Sequence, residues 1–75
     1  MELRQLRYFV KLGELLNYSE AAKVLYISQS TLSQQIKQLE DELKCKLLIR
    51  NSHNVMLTDA GNYFLEDAKR TIQQA

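Results

Sequence analysis

The fold is decided by residues 18–36, which read YSEAAKVLYISQSTLSQQI. Ser19 is a candidate N-cap for a short helix over residues 20–26, because a serine hydroxyl can accept a hydrogen bond from an amide in the first turn of a helix. Tyr26-Ile27-Ser28 then offers a tight turn, and Ser28 can cap the next helix. Two helices joined by so short a turn predict a helix-turn-helix unit.

The helix that begins after Ser28 has a clear apolar stripe. Its apolar residues recur at i, i+4, i+7 and i+11, as Leu32, Ile36, Leu39 and Leu43. The opposite face of the helical wheel is polar and carries Ser30, Gln34, Lys37 and Asp41, with Ser33 on its flank. The stripe predicts the buried side of this helix and leaves a hydroxyl- and amide-rich face exposed.

The elements on either side of this unit complete a mainly α fold. Apolar residues at helical spacing predict a first helix from residue 3 to about residue 16. Short strand-like runs at 47–49 and 55–57, separated by turn-forming residues 51–54, predict a β-hairpin. Thr58 is the candidate cap of a fourth helix. The pattern therefore predicts a winged helix-turn-helix: a three-helix core, a hairpin wing and a further helix.

Length and composition exclude several classes of protein. A chain of 75 residues holds one small domain, which is too little for an enzyme with a cleft between two lobes. There is no pair of carboxylates, activated nucleophile or glycine-rich phosphate loop, so we predict no enzyme and no cofactor. One cysteine and one histidine cannot form a structural zinc site, and we assign Cys45 no role. No apolar run approaches the roughly 20 residues of a membrane span, and we expect a cytoplasmic protein.

The net charge of +1 hides a segregated distribution. Residues 21–39 and 43–58 contain five cations and no acid, whereas residues 40–42 are all acidic. The hairpin region carries Lys44, Lys46 and Arg50, and we expect such an acid-free group to contact phosphate. Glutamine can pair with the adenine edge and serine with either donors or acceptors, which is the chemistry of a helix in the major groove. The hairpin, with Lys46, Arg50 and His53, would lie on the phosphates or reach the minor groove.

Five blocks of sequence occur in a characteristic order. They are Leu3-Arg4-Gln5-Leu6-Arg7-Tyr8-Phe9, Tyr18-Ser19-Glu20-Ala21-Ala22, Ile27-Ser28-Gln29-Ser30-Thr31-Leu32-Ser33-Gln34-Gln35-Ile36, Leu39-Glu40 to Leu43, and Leu57-Thr58-Asp59-Ala60-Gly61. With these blocks, essentially the whole chain resembles the DNA-binding domain of LysR-type transcriptional regulators, which are bacterial. The resemblance implies a winged helix-turn-helix domain over residues 1–57 and the start of a linker helix over residues 58–75. It also implies a homodimer on double-stranded DNA, with effector binding only through a C-terminal domain that these residues do not include.

The resemblance also implies roles for individual residues. The positions that would face bases are Gln29, Ser30, Ser33 and Gln34. The positions near the DNA backbone would be Thr31, Lys37 and Arg50, to which the charge pattern adds Lys46. His53 would lie at the wing tip. The apolar stripe of the fourth helix could be intramolecular core, but its length favours pairing of two subunits. Some of its residues would then cross the two-fold axis, namely members of the set Tyr63, Phe64, Leu65, Ala68 and Ile72.

The sequence departs from the family pattern at four places. Ser30 stands where proline is usual, Lys44 where glycine is usual, Leu48 where phenylalanine is usual, and His53 or Asn54 where a wing arginine is expected. A side chain at residue 44 disfavours the positive φ that glycine adopts easily. A neutral imidazole at the wing tip would bind phosphate less well than arginine above its ordinary pKa of about 6.5.

Two other functions fit the same fold. The domain could be a protein-interaction module that no longer binds DNA, for which the weak net charge and the missing wing arginine argue. It could also be a winged-helix regulator that binds its ligand within this domain, although so short a core leaves little volume for a pocket. An apolar outer face on the third helix would favour the interaction module, and that face is polar.

Overall fold

The computed structural model describes residues 1–52 and 54–74. These residues form α1 (Leu3–Leu15), α2 (Tyr18–Leu25), α3 (Gln29–Leu43), β1 (Leu48–Arg50), β2 (Val55–Leu57) and α4 (Asp59–Gln74). This is the predicted winged helix-turn-helix, with α2 and α3 as its central unit. His53, the predicted wing-tip residue, lies outside the described residues.

The three N-terminal helices and α4 share one core. Fully buried side chains come from α1 (Phe9, Leu12), from α3 (Leu32, Leu39) and from the start of the hairpin (Leu47). Ala21 and Ala22 of α2 are also buried, and their small side chains let α1 and α3 approach closely. The Phe64 ring of α4 packs against Phe9 at 5.5 Å between centroids. The apolar stripes predicted from the sequence therefore pack together in one hydrophobic core.

The start of α2 differs from the prediction. Asn17, not Ser19, is the N-cap, and its Oδ1 accepts a hydrogen bond of 2.9 Å from the Glu20 amide. The helix consequently begins at Tyr18, two residues before the predicted start. Asparagine and serine are nearly equal in N-cap preference, so this preference alone does not select between Asn17 and Ser19. What decides it is that α1 ends at Leu15, with Leu16 in the left-handed region at φ 50°.

The other two predicted caps are confirmed. Ser28 Oγ accepts from the Thr31 amide at 3.0 Å and begins α3. Thr58 Oγ1 accepts from the Gly61 amide at 2.9 Å and begins α4. Both hydroxyls satisfy amides that have no carbonyl partner inside the helix.

The first strand of the wing is shifted by one residue from the predicted run 47–49. The antiparallel pairs are Leu48 with Leu57, Ile49 with Met56 and Arg50 with Val55. Leu47 lies outside the ladder because its side chain is fully buried and its carbonyl accepts from the Thr58 amide at 3.0 Å. In the described part of the chain, no helix is long and apolar enough to cross a membrane.

Three helices end on a residue other than glycine in the left-handed region. The C-caps are Leu16, Tyr26 and Lys44, with φ of 50°, 60° and 57°. Lys44 therefore takes the conformation that its glycine-like position requires, although a Cβ makes it unfavourable. The departure at residue 44 leaves the turn intact.

Candidate nucleic-acid interface

The outer face of α3 is polar and open to solvent. Gln29, Ser30, Gln34 and Lys37 are exposed, while Leu32, Ile36 and Leu39 on the other face are buried. Ser33 is only half-buried, on the flank that the helical wheel gave it. The helix is therefore held by its apolar side and presents amides, hydroxyls and one ammonium group outward.

A cluster of hydroxyls stands at the start of α3. Ser28 Oγ donates to Thr31 Oγ1 at 2.8 Å and lies 3.2 Å from Ser30 Oγ. Since Thr31 accepts in this bond, its own hydroxyl proton stays available to an external acceptor. An oxygen of a phosphate group is such an acceptor, which suits the backbone role predicted for Thr31.

A polar groove runs between the start of α3 and the wing. It has a volume of about 440 Å³ and is lined by Leu16, Asn17, Tyr18, Ser19, Gln29, Arg50, Asn51, Ser52, Asn54 and Val55. We call it the wing groove. It brings Gln29 and Arg50, which are far apart in sequence, to one surface. One residue of α3 and one of the wing thus lie on a common surface, which a duplex bound to both elements requires.

Arg50 is held in the wing groove by an aromatic ring. Its Cζ lies 4.3 Å from the centroid of the Tyr18 ring. Such a cation–π contact orients the guanidinium without neutralising its charge. Burial raises the pKa of the Tyr18 phenol above 10, an effect that the positive charge of Arg50 opposes. The phenol therefore stays protonated at neutral pH, and the ring under Arg50 carries no charge.

The two predicted lysine contacts differ in their surroundings. Lys37 is exposed and has no ion pair with any residue in 1–52 or 54–74. Lys46 Nζ lies 3.9 Å from Glu40 Oε1, and its side chain is 78% exposed. The carboxylate offsets part of the Lys46 charge, so Lys37 presents the stronger field to an anion.

Glu40 fastens the wing to α3. Its Oε2 accepts from the Leu47 amide at 2.8 Å and from the Leu48 amide at 3.2 Å. The side chain is only 11% exposed, so these charge-assisted bonds lie largely out of water. Glu40, the first of the three consecutive acids at residues 40–42, is thus the anchor of the hairpin.

The other end of the hairpin is fixed to the backbone of residues 46 and 47. Thr58 Oγ1 donates to the Lys46 carbonyl at 2.6 Å, and the Thr58 amide donates to the Leu47 carbonyl. Gly61 lies so close that a Cβ on it would be 2.1 Å from the Leu47 carbonyl oxygen. Glycine is therefore required at residue 61 for close approach. We call Glu40, Leu47, Thr58 and Gly61 the wing root.

The predicted pairing residues of α4 have different surroundings. Leu65 and Ala68 are buried in the core of their own chain, at 7% and 1% exposure, so the part of the stripe that includes them is intramolecular core in this structure. Phe64 and Ile72 are half-buried against the same core. Tyr63 is 81% exposed and is the one large apolar side chain of the described α4 that is freely accessible. A contact between subunits through Tyr63 remains a prediction.

Sequence reasoning missed three residues of the interface region: Gln5, Tyr18 and Glu40. Gln5 is 3% exposed and contacts two glutamines of α3. It precedes Phe9 by four and Leu12 by seven, which is the spacing of a core position, and this was the signal available. No local signal identifies Tyr18 or Glu40, because their partners lie in the wing.

Comparison with known proteins identifies relatives of the whole chain. Residues 3–62 match the model of the bacterial regulatory helix-turn-helix protein, lysR family. The Hca operon transcriptional activator HcaR of Escherichia coli (strain K12) is 48% identical over 75 residues, which are all of this chain and 25% of that protein. The chain thus spans about a quarter of the length of this curated relative.

Two solved structures have the same fold in contact with DNA. The complex of the BenM DNA-binding domain with catB site 1 DNA superposes with a TM-score of 0.94 at 43% identity, covering 99% of this chain and 82% of that one. The complex of the CbnR DNA-binding domain with DNA gives a TM-score of 0.95 at 43% identity, covering 99% and 85%.

Proposed function

Since the chain belongs to the lysR family of bacterial regulatory helix-turn-helix proteins, we propose that it is a sequence-specific DNA-binding domain that places α3 in the major groove. The wing lies on the DNA backbone or in the minor groove beside it. The observation that carries this proposal is that Gln29 on α3 and Arg50 on the wing line one polar groove. The likeness to the BenM and CbnR DNA-binding domains, whose structures contain DNA, supports it.

Side chains of α3 and of the hairpin region make two kinds of contact with DNA, to base edges and to phosphates. Gln29, Ser30 and Gln34 are exposed and contact base edges, and half-buried Ser33 contributes from the flank. Thr31, Lys37, Lys46 and Arg50 bind phosphate oxygens and release counterions, which supplies affinity without sequence preference. His53 belongs to the wing tip by its place in the sequence.

The intact protein is a transcriptional regulator that works as a homodimer. Residues 1–57 form the reading domain, and residues 58–75 begin a linker helix that pairs two subunits, with Tyr63 on its accessible face. Effector binding belongs to a part of the regulator outside these 75 residues. The protein acts on the chromosome in the bacterial cytoplasm and has no enzymatic activity or cofactor.

The proposal is tested by selecting duplexes from a random pool at two salt concentrations and then measuring affinity by fluorescence anisotropy. If each subunit neutralises about four phosphates, a dimer gives a log–log salt slope of about −7 on the selected site. Gln34→Ala should relax preference at one base pair, whereas Lys37→Ala should weaken binding to every duplex alike. No enrichment of any sequence, together with a salt slope near zero, would contradict the proposal.

A further inference from the structure

Gln5 is a buried polar side chain whose amide oxygen and amide nitrogen are both hydrogen-bonded. Its Oε1 accepts from the Glu2 amide at 3.2 Å, and its Nε2 donates to Gln35 Oε1 at 3.1 Å and to Gln38 Oε1 at 3.3 Å. These bonds join the start of α1 to the middle of α3. Gln5 is 3% exposed, so water cannot replace its partners without opening the contact.

The bonds of Gln5 have a fixed direction. A backbone amide can only donate, so the Glu2 N–H requires the oxygen of Gln5 and turns the Gln5 nitrogen towards α3. That nitrogen can only donate, so it requires the oxygens of Gln35 and Gln38. The NH₂ groups of Gln35 and Gln38 are therefore both turned away from Gln5. An amide that is free to rotate would present oxygen and nitrogen outward about equally.

These outward donors lie on a defined flank of α3. Gln38 is exposed and follows Gln34, at the centre of the outer face, by one helical turn. Gln35 and Gln38 contact α1, whereas Glu40 on the other flank contacts the wing. The side of α3 remote from the wing thus carries donors whose orientation is set from within the protein. Within the described residues, neither NH₂ group has a partner of its own.

We infer that Gln5 is a positioning residue for DNA binding, which holds the Gln38 amide with its NH₂ group towards a phosphate on the strand remote from the wing. Gln35 accepts from the same nitrogen but is half-buried, and it has no phosphate contact in this arrangement. A helix in the major groove has one DNA strand on each flank, so the wing binds one backbone and the oriented Gln38 amide binds the other. The inference rests on the proposed function and adds a second backbone contact to it.

The test is a double-mutant cycle on DNA affinity. Gln38→Ala removes the donor from an exposed position, and Gln5→Met replaces the buried amide with an apolar side chain of similar size. Each change should lower affinity about three- to tenfold, on the selected site and on a random duplex alike, as expected for loss of one hydrogen bond to phosphate. In the Gln38→Ala background, Gln5→Met should have almost no further effect, because the group that it orients is gone.

A third variant separates orientation from packing. Gln5→Glu keeps the size of the side chain but can only accept, so Gln35 and Gln38 must turn their NH₂ groups inward and present oxygen to the phosphate. It should lower affinity more than Gln5→Met, and the excess should shrink when Gln38 is alanine. Thermal melts of each variant confirm that the domain is folded at the temperature of the binding measurement.

The outcomes are distinct. If the wild-type domain binds no duplex, the proposed function and this inference fail together. If the wild type binds and Gln38→Ala leaves affinity unchanged, or if the losses from Gln5→Met and Gln38→Ala multiply, only the inference is overturned. Loss of preference at one base pair in Gln38→Ala would also overturn it, because the contact would then be to a base and not to a phosphate.

Discussion

The wing is built in two different ways at its two ends. In the wing root, Leu47 and Gly61 are buried and Glu40 and Thr58 are half-buried. Hydrogen bonds of 2.6–3.2 Å join Glu40 to the Leu47 and Leu48 amides and Thr58 to the Lys46 and Leu47 carbonyls, and Gly61 leaves no space beside them. The wing groove beyond it is exposed and polar, and its cation Arg50 rests on an aromatic ring. The root uses its polar groups in hydrogen bonds within the protein, whereas the groove exposes the Gln29 amide and the Arg50 guanidinium to solvent. Substitutions at the root should therefore change stability, and substitutions in the groove should change affinity.

The largest effect is expected at Gly61. Gly61→Ala places a Cβ 2.1 Å from a backbone oxygen, which cannot rotate away, so the hairpin or α4 must shift. We expect a loss of about 3 kcal/mol in the free energy of unfolding, measured by urea denaturation. Gly13→Ala is the matched control, since its Cβ would meet the side chain of Leu65, with the nearest methyl group at 3.1 Å, and no backbone atom at that distance. Equal losses in the two variants would show that the root is not tighter than the core.

The second-largest loss of stability is expected at Glu40. Glu40→Ala leaves the amides of Leu47 and Leu48 without their acceptor, and we expect a loss of about 2 kcal/mol in unfolding free energy. Glu42→Ala, two residues along the same helix, removes an exposed ion pair with the N-terminus and should cost about 0.5 kcal/mol or less. A Glu40 variant as stable as the Glu42 variant would contradict the anchoring role. Chemical denaturation of both variants at one ionic strength decides the point.

Arg50 should show the reverse pattern. Arg50→Ala removes a cation–π contact worth about 0.5–1 kcal/mol of stability at an exposed site. It should lower DNA affinity about tenfold and reduce the magnitude of the salt slope by about 0.9 for each subunit. Lys11→Ala, on α1 in an ion pair with Glu14, is the control and should leave both quantities unchanged. If Arg50→Ala lowered the free energy of unfolding by more than it weakened the free energy of DNA binding, Arg50 would be a structural residue like those of the wing root.

The smallest effect is expected where α3 ends. Lys44 has φ 57°, and glycine adopts this conformation without the steric cost of a Cβ. Lys44→Gly should raise the free energy of unfolding by about 0.5–1 kcal/mol. Lys46→Gly removes the same charge at a position without positive φ and should not stabilise the domain. If both variants are destabilised alike, the left-handed cap is not strained.

Much of the fold follows from local pattern. The stripe in α3 and the caps at Ser28 and Thr58 depend on neighbouring residues only, and the structure confirms all of them. The start of α2 was wrong because two good caps stand close together and only the end of α1 selects Asn17. The start of β1 was shifted because Leu47 resembles a strand residue, although its buried side chain belongs to the core.

The interface could be predicted only in part. Helical periodicity identifies the exposed face of α3, since it needs no knowledge of other elements. That Gln29 and Arg50 belong to one surface is expected only from the resemblance to a family, because no local rule relates positions so far apart. Gln5, Tyr18 and Glu40 act through partners that folding brings near, at separations of 30 and 33 residues for Gln5. Contacts of this kind appear only when the helices and the hairpin are placed.

The anchor at Glu40 also has a mechanical consequence. Because the hairpin is clamped to the helix that carries Gln34, the span between reading helix and wing is set before any duplex arrives. With this distance fixed, the DNA must bend to fit the protein. Operators with easily kinked pyrimidine–purine steps or a compressible minor groove would need less deformation energy, so the domain would select for DNA deformability at bases that it does not contact.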